Sequence, residues 1–124
     1  MTAEELQKRL RSFAYRVVTL CEALPSKKIS GVIEGQLLRS AFSAAANYRA
    51  ACKAQSAKAF KAKLSIAFEE ADESLFWLES INDLTLVSNE KLTLLLKEAD
   101  ELVRILAATR IALEKKESLS NLKS

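Results

Sequence analysis

Apolar residues recur along this chain at the 3- and 4-residue intervals of an α-helix, and they do so in four separate runs. The first is Leu6, Leu10, Phe13, Val17, Leu20 and Leu24. The second is Ile33, Leu37, Ala41, Ala44, Tyr48 and Ala51, and the third is Phe60, Leu64, Ala67, Ala71, Leu75, Leu78 and Ile81. The fourth is Leu92, Leu95, Ala99, Leu102, Leu106, Thr109 and Leu113. A strand sends alternate side chains to opposite faces, so a sheet would turn much of each run to water. Turns agree with this reading. A sheet of short strands draws on Gly, Pro and Asn between them, and these 124 residues hold 2 Gly and 1 Pro. The expected fold class is all-α.

Local signals place the breaks. Thr2 and Glu5 have capping-box spacing ahead of the first run. Pro25, in Pro25-Ser26-Lys27-Lys28, stops that helix. Ser30, Ser56 and Ser88 stand where N-caps of the next three helices belong, and Asn82-Asp83 opens the last break. Helices are therefore expected over about 3–24, 31–53, 57–82 and 89–116. A polar tail, 117–124, is expected to fray and stay flexible. Helices of this length with short links predict one domain, 1–116, an antiparallel up-down-up-down four-helix bundle.

Composition narrows the chemistry. The chain has no His, which removes the commonest general base and transition-metal ligand. Cys21 and Cys52 lack a Cys-x-x-Cys spacing and a His partner, so they read as small apolar residues in a reducing compartment. The densest acidic cluster is Glu69, Glu70, Asp72 and Glu73; a di-iron bundle site needs Glu-x-x-His pairs, so the cluster reads as a solvated or ion-paired face. Two glycines make no phosphate-cradling loop. No apolar run approaches the ~20 residues of a membrane span, and the N-terminus Met1-Thr2-Ala3-Glu4-Glu5 has no apolar signal region. The expectation is a cytoplasmic, non-enzymatic protein with no metal, cofactor or membrane partner.

Charge is polarised. The net charge is only +3, yet residues 1–63 carry 12 Lys and Arg against 4 Asp and Glu, while 64–124 carry 7 against 12. Folded up-down-up-down, one end of the bundle collects Lys8, Arg9, Arg11, Arg49, Lys53, Lys58, Lys61, Lys63, Arg110, Lys115 and Lys116. Cations favour helix C-termini, which accounts for Arg49, Lys53, Arg110, Lys115 and Lys116 but not for those near helix starts. Either solubility or an anionic partner such as RNA or DNA explains the rest. The nearby aromatics are chiefly Phe13, Tyr15, Tyr48 and Phe60; three of them fall on inward runs, so no base-stacking platform is expected.

Two further patterns bear on partners. Leu94, Leu96, Val103, Ile105 and Ile111 on helix 4, with Phe68, Phe76 and Trp77 on helix 3, lie off the main runs and predict a homo-oligomer. On helix 2, Gln36, Ser40, Ser43 and Asn47 form a small polar stripe, suited either to close packing or to an oligomer seam or ligand surface. Folding helix 2 back on helix 3 about a turn near Gln55 and Ser56 brings Arg39 opposite Asp72 and Glu73, so an interhelical ion pair is expected there. The alternative for Arg39 is a partner chain or a phosphate.

Helix 2 also resembles a known family. Gln36-Leu37-Leu38-Arg39-Ser40-Ala41-Phe42-Ser43-Ala44-Ala45-Ala46-Asn47 is similar to the run Gln-Leu-x-Arg-(Ala/Ser)-Ala-x-Ser-x-x-x-Asn of bacterial proteins encoded in intervening sequences of 23S rRNA genes. Ser56 to Phe60, Ile66-Ala67, the acidic Glu73 and the stretch 13–25 resemble further family elements, over roughly residues 10–113. Arg49-Ala50 and Glu69-Glu70-Ala71 depart from it, standing where the family commonly has Glu-Gly and Gly-Ser-Leu. The resemblance implies a four-helix bundle, a pentameric ring, and Gln36, Arg39, Ser43, Asn47 and Glu73 as its signature positions. It extends to accessory proteins of retroelements that bind a reverse transcriptase and nucleic acid. The resemblance leaves the general role of the family undefined; together with the one-ended basic cluster it points to a homo-oligomeric, nucleic-acid-binding accessory or scaffold protein, and the rival reading is a protein–protein assembly module that binds no nucleic acid.

Overall fold

A computed structural model describes residues 1–123 and shows four α-helices and, among those residues, no strand. They are α1 (Ala3–Cys21), α2 (Lys28–Cys52), α3 (Ala57–Asp83) and α4 (Glu90–Lys123). Each packs on its neighbour in sequence, and α1 also meets α4, while the diagonal pairs stay apart. This is the expected four-helix bundle.

The four apolar runs make the core. Leu10, Val17, Leu20, Ile33, Leu37, Leu64, Leu78, Ile81, Leu92, Leu95, Leu102 and Leu106 are fully buried. Truncating one such Leu to Ala removes about 2–5 kcal/mol, through lost transfer energy and the cavity left behind. The α2–α3 contact is the most extensive and the α1–α4 contact the slightest. Small residues explain the first: Ala41, Ala44 and Ala51 of α2 and Ala67 and Ala71 of α3 are buried, and Ser40 Oγ lies 2.9 Å from Ser74 Oγ.

Helix ends follow local chemistry, with four departures from expectation. Thr2 and Glu5 complete the capping box, and Ser56 Oγ accepts from the Ala59 N–H at 3.1 Å. The first helix ends at Cys21 rather than near 24, because a residue before proline avoids helical backbone; 20–24 tighten into i→i+3 bonds instead. Ser30 is not a cap: α2 begins at Lys28, Lys27 makes no side-chain cap, and Ser30 is buried inside the first turn. Asn89, not Ser88, caps α4, its Oδ1 accepting from the Leu92 N–H at 3.0 Å. The stretch 117–123 continues α4 as helix, with Glu117 Oε2 accepting from Lys61 Nζ at 2.9 Å and 118–123 exposed, where polarity predicts fraying; Ser124, the last residue of the expected tail, lies outside the described residues.

The α3–α4 link also carries the one left-handed non-glycine residue among those described. Thr85 has φ 53°. The Leu86 N–H donates to the Ile81 carbonyl and the Thr85 N–H to the Asn82 carbonyl, which closes α3 in a Schellman motif.

Candidate nucleic acid interface

Of the eleven basic residues expected at one end of the bundle, Arg9 is bound up in the fold. Arg9, in the N-terminal half of α1, forks onto Glu98 in the N-terminal third of α4, with Nη2 to Oε1 at 2.6 Å and Nε to Oε2 at 3.1 Å, and reaches Glu101 at 3.3 Å. The first half of α1 therefore packs against the N-terminal half of α4 rather than its C-terminal end, and the C-terminal turns of α4 stand against α3. The hydrogen bond to Glu98 is the largest of the effects that raise the Arg9 pKa, so this cation is committed to the fold.

Among the other ten, four line one groove and two are engaged on the α3–α4 side. Lys8 and Arg11 of α1 face Arg49 of α2 and the adjoining Lys53 across a groove of about 660 Å³. Lys61 is paired with Glu117, and Arg110 lies 5.8 Å over the Phe68 ring and 3.6 Å from Glu114, all on the α3–α4 side. Lys58, Lys63, Lys115 and Lys116 are exposed. With Arg11, Arg49 and Lys53, these four make no ion pair among the described residues. Lys8 makes only an exposed pair with Glu4 at 3.7 Å, of a kind worth little.

The groove holds what the sequence reading missed. Its walls are i, i+3, i+4 and i+7 sets: Gln7, Lys8, Arg11, Ala14 and Tyr15 on α1, and Phe42, Ala45, Ala46 and Arg49 on α2. Ala14, Ala45 and Ala46 keep its floor low. Tyr15 is 56% exposed and Phe42 41%, and their rings meet at 6.0 Å between centroids. Tyr15, the one aromatic of the basic zone that lies off the inward runs, is thus joined by Phe42, which the sequence did not place beside it. The signal was present as a second period, Arg11–Tyr15 and Phe42–Arg49, rotated away from the core runs.

The signature residues of α2 serve the α2–α3 contact. Arg39 donates from Nη1 to Glu70 Oε2 at 2.7 Å, from Nη2 to Glu73 Oε2, and from Nε to Gln36 Oε1 at 3.2 Å. Trp77 Nε1 donates to the same Glu73 oxygen at 3.1 Å. The expected partner Glu73 is right and Asp72 is not, because Glu70 and Glu73 share a helical face that Asp72 lies across from. Asn47 Nδ2 donates to the Ser43 carbonyl and hydroxyl. Among the described residues no cluster of three or more His, Cys, Asp or Glu is placed to hold a metal ion, and no helix is long and apolar enough to cross a membrane.

Off the core runs, Leu96, Val103, Ile105, Phe68 and Trp77 pack half-buried against the core. Leu94, Ile111 and Phe76 remain 49%, 54% and 55% exposed.

Comparison with known proteins accords with this geometry. Among curated proteins nothing matches the chain. A crystal structure of a protein of unknown function from the S23 ribosomal protein family of Bacteroides thetaiotaomicron superposes with a TM-score of 0.79 at 31% identity, covering 89% of this chain and 98% of that one. The family profile described as 23S rRNA-intervening sequence protein matches residues 4–108, from the first turn of α1 into the part of α4 that closes the core. The match takes in all four helices and the Arg39–Glu73 pair that ties α2 to α3, so the chain belongs to the 23S rRNA-intervening sequence protein family.

Proposed function

We propose that this chain is a non-enzymatic, homo-oligomeric bundle of the cytoplasm that binds nucleic acid through the phosphate backbone, as an accessory or scaffold to a nucleic-acid-handling partner. The observation that carries the reading is the set of exposed cations that the fold does not use: Arg11, Arg49, Lys53, Lys58, Lys63, Lys115 and Lys116. Helix dipoles favour those at C-termini, but Lys58 lies in the first turn of α3, where a cation is mildly unfavourable, and Arg11 and Lys63 lie beyond the reach of either helix end. Arg9 and Lys61 are explained by their ion pairs. A polyanion accounts for the remainder, and a ring of copies would multiply its affinity.

Anisotropy of a labelled oligonucleotide, followed against salt, tests this. Binding at about 50 mM salt should weaken steeply as salt rises, with a slope of roughly 0.7 per single-strand phosphate neutralised. Replacing Lys53, Lys58 and Lys63 by Glu should abolish it with helix content and assembly intact; Lys61 is left alone because its loss would also strand Glu117. No binding at about 50 mM salt overturns the reading.

The rival, a pure assembly module, draws on the exposed Phe76, Leu94 and Ile111 of α3 and α4. Those residues equally support self-association, with the pentamer that the family resemblance suggests. Sedimentation at micromolar protein decides this: a monomer removes the oligomer from the proposal.

A further inference from the structure

We propose that the α1–α2 groove is a single-strand site, in which bases stack on Tyr15 and Phe42 while Arg11, Arg49 and Lys53 hold the phosphates. This rests on the nucleic-acid reading above and narrows it to one groove and one kind of strand.

Three features of the groove point this way. The first is the exposed ring pair itself. Tyr15 and Phe42 each leave about half of their surface to water, at 56% and 41%, and stand together in the groove, whereas Phe13 and Tyr48 are buried and the similarly exposed Phe76 lies on α3 beside Trp77. Ring faces accept any base by stacking, whatever its sequence. The second is the placement of charge. At a rise of about 1.5 Å per residue, Arg11 lies one turn, about 6 Å, from Tyr15 along α1. On the same scale Arg49 and Lys53 lie about 10 and 16 Å from Phe42 along the antiparallel α2. Both sets run from the rings in the same direction, toward the start of α1 and the end of α2. The aromatic pair thus closes one end of a lane of cations, and a strand whose backbone follows the lane delivers its last bases to the rings.

The third feature is the floor. Ala14, Ala45 and Ala46, whose side chains are single methyl groups, form the floor of this groove of about 660 Å³. The only carboxylate among its lining residues is Glu4, at the far end from the rings. Charge complementarity therefore favours a polyanion. A duplex meets the same cations, but its base faces are already stacked on one another except at its ends, so the rings add nothing along its length.

The test compares oligothymidylate of twelve residues with a thirty-base-pair duplex, by anisotropy, on the full chain and on Tyr15→Ala, Phe42→Ala and Tyr15→Phe. The two rings lie off the core, so the variants should fold; circular dichroism and sedimentation accompany each. The expected result is a loss of about 5- to 150-fold in single-strand affinity per alanine, with the salt slope and duplex affinity unchanged and Tyr15→Phe close to the parent. Unchanged single-strand affinity in both alanine variants, or an equal loss on duplex, overturns the site but leaves backbone binding standing. Loss of assembly in either alanine variant assigns the groove to a second copy of the chain and overturns the site as well. A parent protein that binds neither probe overturns both the site and the function on which it rests.

Discussion

Two buried serines on α2 should respond to the same substitution with opposite sign. Ser30 is 5% exposed, and its hydroxyl has no protein partner among the described residues. Ser40 is fully buried, 3.2 Å from the Leu37 carbonyl and 2.9 Å from Ser74 Oγ, and Ser74 in turn donates to the Glu70 carbonyl at 2.9 Å. Two hydroxyls carry two protons, so the short contacts run in sequence, Ser40 to Ser74 and Ser74 to Glu70. An unpaired buried hydroxyl costs about 1–3 kcal/mol, whereas a made hydrogen bond contributes a net ~0.5–1.5. Alanine also gains up to about 0.5 kcal/mol of helix propensity, least in the first turn where Ser30 sits. Ser30→Ala should therefore stabilise by about 1–2 kcal/mol. Ser40→Ala should destabilise by about 0.5–1 kcal/mol, because Ser74 keeps its bond to Glu70 and no group is orphaned. For a chain of this length, 1 kcal/mol moves Tm by roughly 4 °C, so the two variants should melt on opposite sides of the parent. Urea titrations at one fixed protein concentration, since assembly would shift the midpoint, should show the same order with unchanged m. A Ser30→Ala protein less stable than the parent would refute the reasoning, because the hydroxyl would then have to be satisfied.

Other consequences are as direct. Thr85→Gly should stabilise by about 0.5–1 kcal/mol, since the left-handed backbone that closes α3 strains a β-branched residue and not glycine; no gain in Tm would show that φ 53° is not strained there. Burial, with Glu34 adding to it, pushes the Cys21 thiol from 9.0 up to about 11, and burial with a Cys52 hydrogen bond pushes the Tyr48 hydroxyl from 10.0 up to about 12. Above pH 9 the unfolded chain then releases protons that the native state still holds, so stability should fall as pH rises and level off past about 12. Tyr48→Phe should flatten the part of that fall between pH 10 and 12, as read from urea midpoints. Arg9→Gln should cost about 1–2 kcal/mol by stranding the half-buried Glu98, and should speed hydrogen exchange in the first turns of α1 while the α2–α3 pair stays protected.

The bundle was legible because period alone decides which residues meet. Every member of the second run is buried, and Arg39 finds Glu73 where antiparallel folding about 55 and 56 puts it. What escaped depends on relative height and on faces away from the core. Four helices of similar length, ends level, would set Arg9 beside Arg110 and Lys115. The helices are in fact 19, 25, 27 and 34 residues long, and Arg9 meets Glu98. Nothing in the apolar runs encodes that offset, since each run slides by whole heptads with little change in pattern. The groove escaped for a related reason. Tyr15 and Phe42 lie on different helices and become a pair only once the register of α1 against α2 is known. Capping was misplaced where two candidates lay close together, as with Ser88 and Asn89, which local sequence does not separate.

The division of labour on α2 says where function should be sought. In the motif run 36–47, the signature positions face α3 or bond within the helix: Arg39 donates to Glu70 and Glu73 and to Gln36 of its own helix, Ser40 meets Ser74, and Asn47 donates to Ser43. Those contacts hold the most extensive interface of the fold. The groove is built from Phe42, Ala45 and Ala46, which are positions the motif leaves open, together with Arg49, one of the positions at which the chain departs from the resemblance. Family membership therefore accounts for the scaffold and is silent on the groove. Substituting Arg49→Glu puts that inference to use: the side chain is exposed and makes no ion pair among the described residues, so Tm should stay within about 2 °C of the parent. Oligonucleotide affinity should fall, because a phosphate contact in the groove becomes a repulsion. Equal affinity in the variant would show that this departure from the family pattern does not touch nucleic acid, and the search would move to Lys58, Lys63, Lys115 and Lys116 on the α3–α4 side.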